Sequence, residues 1–450
     1  MRRDRFYIGI AIFMVVVVAV FITLSILGQQ KRDDAVRELQ SRVAEIKTRT
    51  DSQHNKDAVS SNKNKASVAD EGKNDQHSDD EANIAAHKQL AEKMNTLKES
   101  AEWQQVMESL VRIDDGEDTA EDHQRIVALL DANRGLIEEI RRIAGSNSGY
   151  SDELLSSFIQ SVRLLTMNMM LSATRGDYET LFLDFEAAKA LVGSARKNPD
   201  LMSQLVSNGM CSILYKCIEE NVVAEHLPPD RIIELISFAA DATNREGIAD
   251  ALLLEGDEGI RVFDAVRGGD LTAPWSAYGD RVPAEGNFML YFRLYGTLGR
   301  PLVDMDAGRY ANIMNQAGTA MRLPFYEAKP ILEDLETIGG FYYLRPISSV
   351  LVPGFTRYAE HQAFHEAQMG LMQVGLTVEQ YHAEHGAYPQ TLDVIGGGLP
   401  LDPYTGQPFV YEPGTNGFTL YSARGSMVPA EEYNPLIDSN GNIVWRRRGE

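Results

Sequence analysis

The sequence is poor in cysteine and in basic charge, and each shortage argues against a class of function. Only two cysteines, Cys211 and Cys217, occur in 450 residues. A spacing of six places them on different faces of a helix, so we expect two small buried residues rather than a disulfide or a redox pair. The net charge is −22, and no dense patch of lysine and arginine is interleaved with aromatic residues. Such a chain repels phosphate backbones, which argues against nucleic acid as a partner.

Catalytic signatures are missing as well. The sequence contains no Gly-x-Ser-x-Gly elbow, no phosphate-binding loop that ends in Lys-Ser or Lys-Thr, and no Cys-x-x-Cys. Carboxylates are so frequent that a glycosidase-like pair such as Glu366 and Glu379 is not distinguishable from a solvated helix face. We therefore assign no catalytic residue, no cofactor and no metal, and we favour a role that is not enzymatic.

A long uncharged run lies at the N-terminus. Residues Phe6 to Leu27 contain no charge over 22 positions, which is enough to cross a hydrocarbon core. The run ends in "LSILGQQ" without a small-x-small cleavage site, so we expect an uncleaved anchor rather than a signal peptide. Basic residues flank it on both sides, but long downstream domains translocate largely regardless of charge. We expect a single-pass protein of the inner membrane with an N-terminal cytoplasmic tip and an extracytoplasmic, periplasmic bulk.

The segment after the anchor divides into a helix and a polar linker. "AVRELQSRVAEI" places four apolar residues at helical spacing, and this stripe allows two interpretations. It is a short coiled-coil seam that forms a homo-oligomer through residues 36–46, or one face of a charged juxtamembrane helix. Residues 51–80 contain no aromatic residue, leucine or isoleucine, and we expect them to form a disordered tether. The apolar stripe within residues 36–46 consists of Val36, Leu39, Val43 and Ile46.

The middle of the chain has helical periodicity. Apolar residues recur at three and four from about residue 82 to Ile113, and the capping-box sequence "TAED" precedes another helix that continues to Gly145. Six or seven helices up to about residue 255, with short connections, predict an irregular antiparallel bundle. A faint similarity to tetratricopeptide repeats does not recur at their period of about 34 residues. Five prolines between 301 and 353 argue against long helices across those points, so shorter helices packed on the bundle are expected there.

The C-terminal part is the most patterned. Residues 357–385 predict a helix capped by Gly386, and "QPFVYE" and "GFTLYS" read as two strands joined by the loop "PGTN". An aspartate before Pro403 is typical of an Asx turn, which gives Asp402 a structural role. The residues that define this module are Gly386, Tyr388, Pro389, Leu392, Pro400, Asp402, Pro403, Gly406, Tyr411, Phe418 and Tyr421.

A helix followed by "GAYPQTL…LPLDPYTGQPFVY…GFTLYS" resembles the C-terminal part of the major pseudopilin of bacterial type II secretion. That resemblance implies a long helix, a Gly-x-Tyr-Pro turn and an antiparallel sheet, and it covers roughly one-seventh of the chain. The anchor has no peptidase-site glutamate near its start, and "SARGSMVPAEEYN" stands where the family has a calcium loop. The whole arrangement looks like membrane-anchored bacterial proteins that carry such a module, a resemblance that implies no activity.

Two patterns near this module resemble metal sites. His361 with His365, and His382 with His385, have the spacing to clamp a metal from one helical face, but we favour separate surface histidines over a metal site. "DSNGN" from Asp438 begins like a calcium loop, but no glutamate follows at the twelfth position. We favour a turn there, because Asn-Gly is a strong turn signal.

These observations give a fold class and two hypotheses of function. The fold is mainly α, with a transmembrane helix, a disordered tether, an irregular antiparallel helical domain and a small α+β module that contains an antiparallel hairpin. The first hypothesis is a membrane-tethered scaffold or adaptor that binds proteins of envelope secretion or assembly. The alternative is a metal-dependent hydrolase with ligands among the late histidines and carboxylates. The expected segments are 1–28 (tip and anchor), 29–81 (helix and linker), 82–269 (bundle), 270–355 (proline-rich short helices) and 356–450 (module).

Overall fold

The computed structural model shows a mainly helical protein with one small antiparallel sheet. It describes residues 23, 26–52, 76–114, 117, 119–144, 154–222, 226–243, 245–270, 300–337, 347–352, 354–414, 417–426, 437–438 and 440–448. The chain forms two units, each assembled from segments that are distant in sequence. Unit 1 contains Met1–Ser60, Ile248–Leu323 and Glu327–Ala359; unit 2 contains Ser61–Gly247, Pro324–Tyr326 and Glu360–Glu450.

Fourteen described α-helices carry most of the chain. The first, α1, covers residues 26–52. The others are α2 Gln76–Glu99, α3 Ala101–Asp114, α4 Ala120–Ala132, α5 Arg134–Ala144, α6 Leu155–Thr174, α7 Tyr178–Arg196, α8 Leu201–Asn221, α9 Pro229–Ala242, α10 Arg245–Gly268, α11 Arg300–Ala320, α12 Phe325–Thr337, α13 Ser348–Leu351 and α14 Phe355–His385. The strands are β1 Val410–Pro413, β2 Gly417–Ser422 and β3 Ile443–Arg448.

In unit 1, ion pairs align α1 with α10. Arg49 pairs with Asp250, and Arg32 pairs with Asp264. The order of these pairs along the two helices shows that α1 and α10 run antiparallel. Asp257, midway between the two aspartates, lies 4.0 Å from a lysine of α1. The three aspartates recur every seven residues and therefore share one face of α10, which is the face toward α1.

The helices α1 and α11 approach each other through glycine. A Cβ added to Gly308 of α11 would lie 2.9 Å from the backbone N and Cα of Arg32. A Cβ on Gly28 of α1 would lie 3.0 Å from Met305 Cγ and from the carbonyl oxygen of Pro301. Only residues without a side chain permit backbones to pass this closely. The positions also show that α1 and α11 run parallel, with their first turns side by side.

The apolar stripe of α1 is buried within unit 1. Val36, Leu39, Val43 and Ile46 are between 0% and 8% exposed in the single chain. A homo-oligomer through residues 36–46 would therefore require this packing to open, and the same residues have an intramolecular role. Most of the uncharged run from Phe6 lies outside the described residues. Among the residues whose positions are described, no helix combines the length and hydropathy of a membrane span.

Unit 2 contains the helices α2–α9 and a core rich in aromatic rings. Helix α6 packs against α7, α8 and α2. Phe185 of α7 meets Phe238 of α9 edge to face, with ring centroids 5.2 Å apart. The edge-to-face geometry is the one that aromatic quadrupoles prefer. Other fully buried members of this core are Leu164, Leu165, Leu191, Leu214 and Ile218.

Two helices predicted as continuous are each broken by a polar residue. The segment from 82 to 113 ends its first helix at Ser100, whose hydroxyl accepts the backbone N–H of Trp103 at 3.1 Å and so starts α3. The segment that begins at the capping box breaks at Asn133, whose side chain donates to the carbonyl of Leu129 at 2.8 Å. Side-chain bonds of this kind compete with helical ones. The described residues from 82 to about 255 contain the eight helices α2–α9 and the start of α10, so the expected six or seven is wrong.

The capping box itself is confirmed. Thr119 is the N-cap of α4, and its hydroxyl and backbone both bond to Asp122.

The prediction that no helix continues across the prolines between 301 and 353 is wrong at Pro330, which lies inside α12. The proline is the sixth residue of that helix, so its ring removes a single hydrogen bond near the first turns. The expected tether 51–80 is helical at both described ends, since α1 continues to residue 52 and α2 begins at Gln76.

The small sheet has the order β1-β2-β3, and both pairs are antiparallel. The hairpin β1–β2 and the cap Gly386, with φ of 71°, confirm the predictions for the module. Sequence reasoning missed the third strand. Gly414 donates to the carbonyl of Gly417 at 2.8 Å. The alternation of an antiparallel ladder then turns the nitrogen of Pro413 outward, where its missing N–H leaves no bond unmade.

The approach of α1 to α11 gives a first prediction. Gly308→Ala places a methyl group against the Arg32 backbone, which cannot rotate away, and we expect a loss of about 1–3 kcal/mol of unfolding free energy. Gly268→Ala, where a Cβ meets nothing within 4 Å, is the matched control and should gain about 0.5–1 kcal/mol. Thermal unfolding of the full chain in detergent measures both. Equal midpoints for the two variants would contradict the close approach.

Candidate functional site

The outer edge of β3 is closed by two side chains of α8. Tyr215 donates its hydroxyl to the carbonyl of Val444 at 3.0 Å, and Glu219 accepts the backbone N–H of Arg446 at 2.9 Å. The carbonyl of Val444 and the N–H of Arg446 both point away from β2. An unpaired strand edge is a template for pairing with other chains, so this contact removes it. Trp445, between them, packs edge to face on the Tyr215 ring at 5.5 Å.

Burial raises the pKa values of both Tyr215 and Glu219. Desolvation raises the pKa of Glu219 to about 7, although the N–H of Arg446 works in the opposite direction. Desolvation also raises the pKa of Tyr215 well above its usual value, so its hydroxyl remains a donor. Lys216 and Glu220 act on Glu219 with opposite signs. The carboxyl group therefore titrates near neutrality while it holds the strand.

The helix α14 is bound to α8 by buried amides. Asn208 donates to Gln362 at 2.9 Å, and Ser212 donates to Gln368 at 2.6 Å. Two glycines of α14 lie where the sheet module meets this helix: a Cβ on Gly370 would lie 2.7 Å from the Phe409 ring. A Cβ at position 375 would lie equally close to the indole of β3. The module is thus packed into unit 2 through α14 and α8.

A buried polar cluster lies at the ends of α7 and α9. Arg196, the last residue of α7, donates to the carbonyl of Ala242 at the end of α9 and to Ser207. A guanidinium at a helix C-terminus satisfies carbonyl groups that have no partner within the helix. His365 of α14 lies 2.9 Å from the same Ala242 oxygen. This cluster joins three helices of unit 2 through one carbonyl.

A second ionic link lies within unit 2, between Arg245 in the first turn of α10 and Glu366 of α14. Arg245 forms two bonds to the carboxylate of Glu366, and Gln362 donates to the same carboxylate at 2.9 Å. Glu366 and Glu379 are 8% and 2% exposed. The interpretation of these carboxylates as a solvated face is therefore wrong. They lie 13 residues apart on α14, or roughly 20 Å, whereas a glycosidase pair requires about 5–10 Å.

The candidate histidines have different surroundings. Burial, followed by the nearby Arg196, lowers the pKa of His365 to about 3, so the imidazole is neutral and its Nε2–H donates to Ala242. His361, one turn earlier, is exposed. His382 stacks on Tyr388 and His385 on Tyr381, each with ring centroids 4.0 Å apart. In the part of the chain that the structure describes, no group of three or more His, Cys, Asp or Glu side chains is placed to hold a metal.

Asp402 organises the loop before the sheet. Its Oδ1 accepts the backbone N–H of Tyr404 at 3.0 Å and the hydroxyl of Ser422 at 2.9 Å. Its Oδ2 accepts the N–H of Ala423 at 2.9 Å and the hydroxyl of Thr405 at 3.3 Å. The bond to residue 404 is the predicted Asx turn. The structural role of this aspartate is confirmed, since its 1% exposed carboxylate links the loop to the end of β2.

The other module-defining residues surround the same loop. Tyr411 donates to the carbonyl of Pro389 at 2.8 Å, and its ring lies 5.7 Å from Phe418. Tyr421 donates to Glu412 at 3.2 Å. Gly406 has φ of 69°, which closes the turn that begins at residue 402. Pro400 and Leu392 are half-buried, and Pro403 is buried.

Two further predictions are confirmed. Asp438 Oδ1 accepts the backbone N–H groups of Asn440 and Asn442 at 2.8 and 2.9 Å, so "DSNGN" forms the predicted turn. The two cysteines are buried and free. Burial raises the pKa of the Cys211 thiol to about 11, which makes it a poor nucleophile. Cys217 is likewise desolvated and its pKa is raised further.

An open groove lies between the helices α2–α5 of unit 2. It has a volume of about 860 Å³ and is lined mainly by apolar surface. Its floor contains Val106 and Leu129, which are 1% and 4% exposed. At its rim, Lys93 pairs with Glu139 at 2.6 Å across α2 and α5. The remaining lining residues include Thr96, Leu97, Gln105, Arg125, Ala128, Asn133, Gly135 and Leu136. An apolar floor with a polar rim suits a protein ligand better than a small polar metabolite.

The raised pKa of Glu219 gives a second prediction. The folded state binds a proton more tightly than the unfolded state, so stability is lost as pH rises from about 4.5 through 7. Amide protection of β3 in the full chain should therefore fall roughly tenfold or more across that window, after correction for intrinsic exchange. Glu219→Gln keeps an acceptor for the N–H of Arg446 but removes the titrating group. In this variant the amide protection of β3 should therefore not change with pH. Glu138→Gln, at an exposed position of α5, is the control, and an identical decline in all three chains would contradict the assignment.

The carboxylate of Asp402 gives a third prediction. In Asp402→Asn one oxygen becomes an NH₂ group, and either rotamer faces a backbone N–H with another donor. We expect about 1–3 kcal/mol of destabilisation from the unpaired buried donors. The exposed Asp393→Asn in the neighbouring turn should change stability by less than about 0.5 kcal/mol. Thermal midpoints compare them, and a neutral Asp402→Asn would show that the loop is held by other contacts.

The buried ionisable groups described above hold helices and loops together, whereas the groove of α2–α5 is open to solvent. Comparison of the chain with protein-family models, with curated proteins and with solved structures found no match.

Proposed function

We propose that the protein is a membrane-tethered, non-enzymatic scaffold outside the inner membrane, which binds a partner protein in the groove of α2–α5. The observation that carries this proposal is the groove itself, with its apolar floor and its rim of both charges. The occupant that fits is an amphipathic helix of the partner, whose apolar side chains enter the floor while its polar flanks meet the rim.

The sequence supports the tether. The uncharged run from Phe6 to Leu27 has the length of a membrane span. The chain from residue 53 to residue 75 then joins α1 of unit 1 to α2 of unit 2. Envelope proteins are therefore the partners that share its compartment. Components of a secretion apparatus are the first candidates, because the C-terminal module resembles a pseudopilin.

The module has a structural role in this proposal. Its strand β3 and the helix α14 share hydrogen bonds with α8, so removal of residues 386–450 would uncover Tyr215 and Glu219 and remove their partners in β3. A deletion of the module would test folding and binding together. Point substitutions in the groove separate the two effects.

The alternative, a metal-dependent hydrolase, has no observation in its favour among the described residues. Of its four candidate ligands, His365 is buried and donates to a carbonyl. The others lie on separate turns or in stacked pairs with tyrosine. We therefore carry forward the scaffold alone.

Filling the groove is the fourth prediction. Gly135 lines it and is exposed, and a Cβ there would meet nothing within 4 Å. Gly135→Trp should therefore occupy the groove without disturbing the fold. Gly193→Trp on α7 is the matched control, because that glycine is also exposed, helical and open. Cross-linked affinity purification from the native membrane should lose its specific partner at least tenfold with Gly135→Trp and keep it with Gly193→Trp.

A photo-reactive residue at the exposed position Ala128, also in the lining, locates the contact on the partner. The cross-linked peptide should contain apolar residues at helical spacing. Equal recovery of the same proteins with both tryptophan variants would show that the groove is not the binding surface.

A further inference from the structure

Exposed apolar side chains from two helices meet at one end of unit 1. Ile26 and Leu27 of α1 are 59% and 48% exposed, and Met305 of α11 is 41% exposed. A Cβ on Gly28 would lie 3.0 Å from Met305 Cγ, so the first turns of the two helices are in contact. The three side chains therefore belong to the same end of the unit. Exposed apolar residues clustered in this way indicate a surface that a membrane or another molecule covers.

The sequence shows what lies next to this end. Ile26 and Leu27 are the last residues of the uncharged run that begins at Phe6. As a helix, that run would measure roughly 33 Å, close to the thickness of a hydrocarbon core. The boundary between acyl chains and headgroups then falls within about one turn of Leu27. Because Met305 touches the residue that follows Leu27, it lies at the same level.

The helices α1 and α11 are in close contact at this end. Residues 26–52 form one uninterrupted helix, and Gly308 brings the α11 backbone against Arg32. The charge of Arg32 is matched by Asp264 and by Asp304, 3.7 Å away. Arg32 and its aspartate partners lie about one turn beyond the apolar residues Ile26 and Leu27. Paired charges at that position suit the headgroup layer of a bilayer. The exposed Lys31 and Arg300 add basic groups that can reach lipid phosphates.

We propose that this end of unit 1, formed by the first turns of α1 and α11, rests in the interfacial layer of the lipid bilayer. The inference depends on the anchor of the proposed function and adds a second contact, through Met305, that a simple tether would lack. Unit 1 is then held against the membrane by α1 itself rather than by a flexible linker.

Depth-dependent fluorescence quenching tests this contact. The full chain is reconstituted in vesicles of phosphatidylcholine and phosphatidylglycerol, and a single introduced cysteine carries an environment-sensitive fluorophore. With Met305→Cys we expect a blue-shifted emission and at least twofold quenching by lipids that are spin-labelled near the headgroup. The parent chain, whose two cysteines are buried, is the labelling blank.

Three variants complete the experiment. Ile331→Cys on α12 has the same 41% exposure and should remain unquenched. Thr48→Cys lies 21 residues beyond Leu27 on α1, or roughly 30 Å along the helix, and should also remain unquenched. Leu27→Cys reports the anchor. If Leu27→Cys is quenched but Met305→Cys is not, the anchor holds and the surface contact is wrong. If neither is quenched and the protein does not float with the vesicles, the anchor itself fails and the surface contact fails with it.

Discussion

The hydrogen bonds from α8 to the outer edge of β3 set the arrangement of the C-terminal part of unit 2. Tyr215 and Glu219 are four residues apart on a helix, which separates them by about 6 Å along its axis. Val444 and Arg446 are two residues apart on a strand, where equivalent positions repeat about every 6.6 Å. The two repeats match, so one helical face satisfies one strand edge. The other edge belongs to β1, a strand of four residues that ends at Pro413, so the described part of the module offers a partner strand only a short free edge.

Local rules predicted the features that depend on neighbours in sequence. The cap Gly386, the Asx turn at Asp402, the capping box at Thr119 and the turn at Asp438 each involve groups within a few residues. Their geometry follows from backbone preferences and short side chains, and a single sequence contains that information. The hairpin β1–β2 belongs to the same class, because a short loop fixes its register.

The partners of those elements were not predictable in the same way. Periodicity identified the stripe of α1, but it carries no information on which surface covers a stripe, and the covering helices α10 and α11 lie more than 200 residues away. The clamp by Tyr215 and Glu219 was missed because both residues read as ordinary members of a helix. His365 and Glu366 were placed on the surface for the same reason, although α14 is buried on more than one side. The available signal was weak: α14 carries glycines at 370 and 375, which allow Phe409 and Trp445 to pack closely, but helical glycines such as Gly193 meet nothing within 4 Å.

Buried polar groups in unit 2 fix the register of α14 rather than create a reactive centre. An apolar seam between two helices could slide by one turn with little loss, whereas the bond of Asn208 to Gln362 and that of Ser212 to Gln368 are each satisfied in only one register. The pair of Arg245 and Glu366 adds a charge that would be left unpaired by such a slide. The register of α14 in turn places the sheet on α8. Since these groups are committed to each other, the recognition that we propose uses a surface outside this seam, the groove of α2–α5 in the described part of unit 2.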